Sequence, residues 1–307
     1  MSDFALQLRG VTKVYGDKTV LDVPELSISC GKIVGLLGEN GAGKSTLIDI
    51  AAGVCAPTTG SVQHAEGRVG WCAQRLVIDW FVDSWTNVWL GACLAGASGQ
   101  QADELTQQAI DAVGLSDAPL RDTPEVLSGG QQQRLIIART LAMCPSLYLL
   151  DEPTVGLDVK NVEGFAVELR SRQQAGATIV ISSHEFESLE GLIDDVLFLA
   201  DGKIIFFGPA GEFVDQFVTT DSIQVTLAEP LAALPAGDEH GYHYSFDADG
   251  TVATIQAPRG TTFTEVVSLL PADSTIVGYA KQPVNLRDAV RAATTQPAAT
   301  GGEEETP

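Results

Sequence analysis

The stretch Gly38–Thr46, which reads GENGAGKST, decides the fold predicted for this chain of 307 residues. It follows Ile33–Leu37 (IVGLL), an apolar run suited to a strand buried on both faces, and it leads into a helix that begins near Lys44. A glycine-rich turn between a strand and a helix is typical of a phosphate-binding loop, whereas the same letters without that context are a weak signal. The alternative to a phosphate-binding loop is a glycine turn that leads into a helix and binds no ligand.

Each residue type in this loop suits a nucleoside triphosphate. The glycines allow backbone N–H groups to curl round the phosphates, and the helix adds its positive dipole end. Lys44 would reach the β and γ phosphates, and the Ser45 hydroxyl would ligate Mg²⁺. The predicted nucleotide-binding residues of the loop are Gly38, Glu39, Asn40, Gly41, Ala42, Gly43, Lys44, Ser45 and Thr46.

The composition limits the partners of the chain. Hydrophobic residues make up 45% of it, which is enough for one large domain and a smaller one. With 18 Lys and Arg against 40 Asp and Glu, the net charge of -22 repels phosphate backbones and anionic lipid, so we expect no nucleic-acid partner. No apolar run approaches the length of a membrane helix, about 20 residues. Action at a membrane would therefore require a membrane-spanning partner.

Polar residues follow two further apolar runs. Leu147–Leu150 (LYLL) leads into Asp151 and Glu152, and Thr178–Ile181 (TIVI) leads within three residues to His184. Strands of this kind, separated by helical segments, predict a mainly parallel sheet with helices on both faces. The carboxyl ends of such strands meet at the edge where ligands bind.

These three polar side chains have candidate catalytic roles. The Asp151 carboxylate can hold Mg²⁺ through water, and Glu152 can polarise the water that attacks the γ phosphate. The imidazole of His184 can donate a hydrogen bond to the γ phosphate. The structural alternatives are an acidic pair that caps a helix and a histidine that serves packing alone.

A second anion site is indicated by LSGGQQQR, which begins at Leu127. Its residues Ser128, Gly129, Gly130 and Gln131 lie at the amino terminus of an amphipathic helix. One chain offers no second nucleotide to this turn, which suggests that the turn completes the site of a facing chain. A Ser-Gly-Gly loop that only caps its helix is the alternative.

GENGAGKST, LSGGQQQR, LYLLDEP, VGLD and SSH, in that order, resemble the nucleotide-binding domain of an ATP-binding cassette (ABC) transporter over about residues 4 to 215. The resemblance implies an α/β P-loop NTPase fold with a parallel-sheet core, an antiparallel β subdomain and a helical subdomain. It also implies that two domains pair head to tail, with ATP between the Gly38–Thr46 loop of one and the Ser128–Gln131 turn of the other.

The resemblance assigns three further roles. Tyr15 matches the aromatic residue that stacks on adenine, although a tyrosine at the rim of the sheet is the alternative. Gln74 matches the glutamine that contacts Mg²⁺ and the attacking water and links to the membrane subunit, and Asp158 matches the aspartate that crosses the dimer interface. The resulting metal ligands are Ser45, Gln74 and Asp151, and the catalytic residues are Glu152, His184 and Lys44.

The sequence divides into an ABC ATPase domain at residues 1–220, with its helical subdomain at about 75–145, and a small α+β domain at 221–294. In the small domain, Asp249-Gly250 predicts a hairpin turn, and the spacing of Thr262 and Glu265 predicts a capped helix. Residues 295–307 are predicted to be a disordered acidic tail.

The predicted function is that of an ATP-hydrolysing subunit on the cytoplasmic face of a membrane. ATP and Mg²⁺ are the expected cofactors, and the expected partners are transmembrane permease subunits and a second ABC subunit. Export is favoured because the small domain loosely resembles extensions found on drug, antibiotic and polysaccharide exporters, but importers also carry C-terminal additions. Two competing functions are those of a soluble ABC ATPase that works without a membrane partner and of a P-loop kinase.

Three of the four tryptophans, Trp80, Trp85 and Trp89, follow Gln74 closely. By resemblance, this segment forms the groove that receives the membrane subunit, and aromatic residues are good anchors for such a contact. The same residues can instead fill the core of the helical subdomain, because Trp85 and Trp89 are one helical turn apart. The sequence leaves both interpretations open.

Overall fold

The structure, a computed structural model, describes residues 4–183, 190–231 and 242–295. The chain forms two compact units, one that ends at Ala210 and one that begins at Gly211. The boundary predicted after residue 220 lies beyond this division, because helix Ala210–Phe217 makes its contacts mainly with the second unit. His184 and residues 296–307 fall outside the described residues.

Nine of the described strands form one mixed sheet in the first unit. They are β1 (Phe4–Tyr15), β2 (Lys18–Ser29), β3 (Ile33–Leu37), β4 (Thr59–His64), β5 (Val69–Cys72), β6 (Leu147–Asp151), β7 (Thr178–Ser182), β8 (Asp195–Ala200) and β9 (Lys203–Pro209). Their order is β4-β1-β2-β9-β8-β3-β7-β6-β5. The run from β8 to β5 is parallel throughout, whereas β1 pairs with β2 and β4 in antiparallel fashion. The predicted parallel core with an antiparallel portion is confirmed.

Helices cover the parallel strands. They are α1 (Lys44–Ala51), α2 (Ser84–Leu94), α3 (Gly99–Ala112), α4 (Gly129–Ala142) and α5 (Val159–Gln174), with short 3₁₀ turns at Pro124–Val126 and Glu190–Leu192. Helices α2, α3 and α4 pack on one another and account for the helical subdomain. The all-buried strands β3, β6 and β7 agree with their continuous apolar sequences, since a strand covered on both faces has no polar side.

The sheet separates two hydrophobic cores, and strand β6 shows how. Tyr148 and Leu150 pack with the helical side, whereas Leu147 and Leu149 pack with α1 and the antiparallel strands. Successive side chains of a strand point to opposite faces, so one short strand contributes to both cores. This double burial fixes the register of β6 and therefore the position of Asp151 at its end.

The second unit has its own sheet and core. Its elements are α6 (Ala210–Phe217), β10 (Thr220–Leu227), β11 (His243–Phe246), β12 (Val252–Pro258), α7 (Phe263–Ser268), β13 (Ile276–Lys281) and α8 (Leu286–Thr295), and the strands pair antiparallel in the order β11-β12-β10-β13. The hairpin predicted at Asp249-Gly250 joins β11 to β12, with Gly250 at φ 70°. Thr262 and Glu265 form the predicted capping box. In the described residues, neither unit contains a helix with the length and apolar character needed to cross a bilayer.

Candidate functional site

The Gly38–Thr46 loop turns from β3 into α1 on glycine backbones. Gly38 has φ 145°, and a Cβ built on it would lie 2.1 Å from the carbonyl oxygen of Leu199. Gly43 has φ 104°, and its Cβ would lie 2.9 Å from the carbonyl oxygen of Val20. Side chains at either position would force the backbone apart. Gly43 also caps α1 without a side chain, which leaves the amino end of the helix open to an anion.

Lys44 is held across this loop. Its ammonium donates to the carbonyl oxygens of Gly38, at 2.7 Å, and Glu39, at 3.0 Å, and the side chain is largely buried. Burial lowers the pKa of Lys44, while the carboxylates of Glu152 and Asp151 raise it. The loop therefore contains a fixed positive charge that faces two carboxylates.

Asp151 and Glu152 are joined to the neighbouring strand by one hydroxyl. Ser182 lies opposite Asp151 in the parallel register, and its Oγ donates to Asp151 Oδ1 at 2.7 Å. The same Oγ accepts from the backbone N–H of Glu152 at 2.9 Å, where the chain turns at φ 51°. Sequence reasoning missed this role of Ser182. The available signal was a hydroxyl residue at the end of the strand beside the acidic pair.

A cavity of about 340 Å³ brings the predicted residues together. Lys44, Ser45, Gln74 and Glu152 line it, although they come from separate places in the sequence. The remaining lining residues are Val20, Asn40, Gly41, Gly43 and Thr46. Asp151 lies directly beside Glu152 at the end of β6 and is buried. The cavity thus combines a cation, a helix amino terminus and a carboxylate, which is an arrangement suited to phosphoryl chemistry.

The oxygen atoms near this cavity fit Mg²⁺. No group of three or more His, Cys, Asp or Glu side chains that could hold a metal occurs among the described residues, so a site made wholly of such ligands is absent from that part of the chain. Mg²⁺ instead keeps several waters and binds to one or two carboxylates together with substrate phosphates. The Ser45 hydroxyl and the Gln74 amide in the cavity lining, and the Asp151 carboxylate beside Glu152, are hard oxygen donors of the kind that could hold Mg²⁺.

The Ser128–Gln131 turn lies apart from this cavity. Ser128 caps α4 in a capping box, since its Oγ accepts from the backbone N–H of Gln131 and the Gln131 side chain accepts from the backbone N–H of Ser128 at 2.9 Å. Gly130 approaches the segment that contains Asp158, because a Cβ on it would lie 2.9 Å from the carbonyl oxygen of Gly156. None of the four residues of the turn lines the cavity of the same chain.

Two other residues assigned by resemblance have defined local contacts. The ring of Tyr15 is 53% exposed, carries the Lys13 ammonium 4.9 Å from its centroid and lines no part of the cavity. Asp158 caps α5, with its carboxylate accepting from the backbone N–H of Asn161 at 2.9 Å. These contacts are compatible with a stacking platform and with an interface residue, but they also suffice for local structure.

The tryptophans divide into two groups. Trp85 and Trp89 are partly buried against the helical core, and the Arg121 guanidinium lies 4.5 Å from the Trp85 ring centroid. Trp80 is 40% exposed, and its neighbour Phe81 is 98% exposed. The helical core therefore accounts for Trp85 and Trp89, whereas Trp80 and Phe81 present apolar surface.

Comparisons with known proteins identify clear similarities. The family model described as ABC transporter matches residues 21–155. The manganese transport system ATP-binding protein MntB of Bacillus subtilis is 32% identical over 247 residues, which cover 75% of this chain and 95% of that protein. The Nod factor export ATP-binding protein I of Ralstonia nicotianae is 30% identical over 307 residues, which cover 92% of this chain and 91% of that protein.

A solved structure supports the same fold. It is the dimeric, post-hydrolysis state of the ATP-binding cassette MJ0796 bound to ADP and Pi. It aligns with a TM-score of 0.59 and 26% identity, covering 66% of this chain and 98% of its own.

Replacement of Ser182 tests the coupling between β6 and β7. Ser182→Ala removes the donor to Asp151 and the acceptor for the Glu152 N–H in a fully buried position, so we expect the free energy of unfolding to fall by about 1–3 kcal/mol. Urea unfolding measures this change. Ser171→Ala, at an exposed position on α5, is the matched control and should change the free energy by less than about 0.5 kcal/mol. Equal effects of the two changes would contradict the coupling.

Proposed function

This chain belongs to the ABC transporter family as an ATP-binding subunit, and on that premise we propose that it hydrolyses Mg·ATP at the Gly38–Thr46 loop to drive transport through separate membrane subunits. The observation that carries the proposal is the cavity that places Lys44, Ser45, Gln74 and Glu152 around one space. A P-loop kinase would leave the Ser128–Gln131 turn without a purpose. The named functions of the relatives favour transport over a soluble, non-transport ATPase.

Hydrolysis follows from the charges around the cavity. The loop N–H groups and Lys44 bind the β and γ phosphates, and Glu152 orients a water molecule and takes up its proton as the oxygen attacks the γ phosphorus. The bond from the γ phosphorus to the bridging oxygen breaks, giving ADP and phosphate. Ser45, Gln74 and Asp151 would hold Mg²⁺, and the bound ion would supply positive charge to the phosphate oxygens. Ser182 keeps Asp151 and the Glu152 backbone in place.

Two chains share each nucleotide in this proposal. The exposed Ser128–Gln131 turn presents a helix amino terminus, yet it contributes nothing to the cavity of its own chain. A second copy or a related subunit, turned head to tail, would bring that turn onto the γ phosphate. We assign Tyr15 to adenine stacking, His184 to the γ phosphate and Asp158 to the interface on the family resemblance.

We assign the direction of transport as export. Relatives named for import and for export both resemble the ATPase unit, so that unit does not discriminate between them. The Nod factor exporter subunit aligns over 92% of this chain, and an alignment of that extent includes residues of the second unit. The manganese transport subunit aligns over 75% of this chain, so its alignment also passes the 210 residues of the first unit, but it includes less of the second unit than the exporter alignment does.

Replacement of the proposed base should separate binding from turnover. We expect Glu152→Gln to lower ATP hydrolysis by at least about 100-fold, because a positioned general base contributes that much. The variant should still bind Mg·ATP and accumulate as a dimer on gel filtration. Glu163→Gln, an exposed carboxylate change on α5, should retain the native rate. Hydrolysis by Glu152→Gln at the native rate would assign the base to another residue.

A mixing experiment tests the shared site. Lys44→Ala removes the loop cation and Ser128→Arg blocks the facing turn, so each variant alone should lose at least about 90% of its ATP hydrolysis. A heterodimer of the two contains one site with an intact Lys44 and an intact Ser128. Mixing should therefore restore part of the activity. Absence of recovery in a mixture shown to form heterodimers would contradict a site built from two chains.

Trp80 and Phe81, the two exposed aromatic residues that follow Gln74, are the proposed contact with the membrane subunit. Phe81→Ser removes an apolar anchor that is 98% exposed, so it should reduce co-purification with a multi-spanning protein from detergent-solubilised membranes. The ATP hydrolysis rate of the isolated subunit should remain unchanged. Val167→Ser, at a 71% exposed position on α5, is the control and should retain the partner. Equal loss of partner in both variants would exclude Phe81 as the anchor.

A further inference from the structure

A second cavity of the first unit lies at the other end of the parallel strands from the Gly38–Thr46 loop. Its volume is about 460 Å³. The segments that precede β5, β6 and β7 supply its wall, which includes Arg68, Cys144, Ser146, Tyr148, Arg172 and Gly176. The proposed ATPase mechanism uses none of these side chains.

Cys144 lies in this wall with an unusual backbone and a charged neighbour. Its φ is 43°, in the left-handed region that residues other than glycine rarely adopt. Its Sγ accepts from Arg172 Nη1 at 2.9 Å and, as a thiol, donates to the Leu141 carbonyl oxygen at 3.6 Å. The residue is partly exposed and lines the cavity.

Arg172 remains charged beside the sulfur. Burial lowers its pKa, but Tyr148, Cys144 and Glu168 together raise the pKa of Arg172 above its usual value. Glu168 binds the guanidinium from the other side, with Oε1 2.6 Å from Nε. The guanidinium is thus shared between a carboxylate and a sulfur, and any increase of negative charge on the sulfur strengthens the second contact.

Tyr148 provides independent evidence that the wall of the cavity contains a polar group without a hydrogen-bond partner. The residue is fully buried, and in the described part of the chain its hydroxyl has no hydrogen-bond partner. Burial is the largest influence and raises the pKa of Tyr148, the Arg172 guanidinium lowers it, and Cys144 and Glu168 raise it, so the hydroxyl keeps its proton. Buried hydroxyls are nearly always paired. An unpaired hydroxyl donor in the cavity wall indicates that the cavity lacks an acceptor, which an incoming molecule can supply.

We propose that Cys144 is a site of reversible S-thiolation, at which a low-molecular-weight disulfide enters the cavity and forms a mixed disulfide with the protein. Arg172 stabilises negative charge on the attacking sulfur, and the unpaired Tyr148 hydroxyl offers a hydrogen bond to the incoming compound. Arg68 and Arg172 give the cavity positive charge that suits a thiol compound with carboxylates. Cys144 is the only cysteine among the lining residues of this cavity.

The reaction is a thiol–disulfide exchange. The Cys144 thiol first loses its proton to solvent, and the thiolate then attacks one sulfur of the small disulfide. A new sulfur–sulfur bond forms while the original one breaks, and the departing small thiolate takes up a proton. The small disulfide is the oxidant, so no other reactant is required. A reducing thiol reverses the step.

The selectivity of thiolation among the cysteines is the test. The reduced full-length protein is incubated with glutathione disulfide, and the modified fraction of each cysteine is followed by peptide mass spectrometry. We expect Cys144 to react at least about tenfold faster than Cys30, although Cys30 is more exposed, because the Arg172 guanidinium contacts the Cys144 sulfur and stabilises negative charge on it during the attack. In urea the difference should disappear. Native Cys144 that reacts no faster than Cys30 would overturn the proposal.

Two variants change the rate in opposite directions. Arg172→Gln removes the charge beside the sulfur and should lower the Cys144 rate by about tenfold. Glu168→Gln removes the carboxylate that competes for Arg172 and should raise the rate by about threefold. The increase cannot arise from a merely structural role of the pair, provided that circular dichroism shows a folded variant. A folded Glu168→Gln protein with an unchanged or lower rate would contradict the role assigned to Arg172.

Discussion

The close approach of the Gly38 backbone to the end of β8 is the constraint on which the rest of the structure depends. Strand β8 is bonded to β3, so the carbonyl of Leu199 stands beside the point where the chain leaves β3. A side chain at Gly38 would fall within 2.1 Å of that oxygen. Glycine permits the turn there, and the turn determines where α1 begins. The direction of α1 then sets the position of Lys44, and the register of the buried strands sets the position of Asp151 relative to it.

The local charge of the site opposes the charge of the chain as a whole. The net charge is -22, and Lys44 already faces Glu152 and Asp151. A triphosphate that enters this field is bound through short-range contacts, because long-range attraction is lacking. Backbone N–H groups of the loop and the amino end of α1 provide such contacts without adding positive residues. The ammonium of Lys44 is fixed by two loop carbonyls, so little reorganisation is required when charge develops.

The sequence predicted the features that depend on local order, and it missed those that depend on packing. Buried strands, the glycine loop and the Thr262 capping box follow from short patterns of apolar, glycine and capping residues, and the structure confirms each of them. The hydrogen bond from Ser182 to Asp151 joins residues that are 31 positions apart, so no local sequence pattern predicts it. The sequence was equally compatible with Trp85 and Trp89 in the core or on the surface. Their helical spacing predicts that they lie on the same face of a helix, but it does not predict which part of the protein packs on that face. The division at Ala210 likewise depends on which unit α6 contacts.

Strand β6 connects the cavity at the Gly38–Thr46 loop with the cavity that contains Cys144. Its carboxyl end carries Asp151 and leads to Glu152, while its amino end follows the Cys144 segment. Five residues of strand span about 16 Å, so an adduct at Cys144 cannot occupy the space of a bound triphosphate. Influence of one site on the other can pass along β6, along β7, whose Ser182 contacts Asp151, or along α4, which begins beside Ser128 and ends just before Cys144. All three elements contribute buried residues to close-packed cores that resist gradual deformation. An effect of thiolation on turnover would therefore require a shift of α4, β6 or β7 as a body rather than local blocking of the nucleotide.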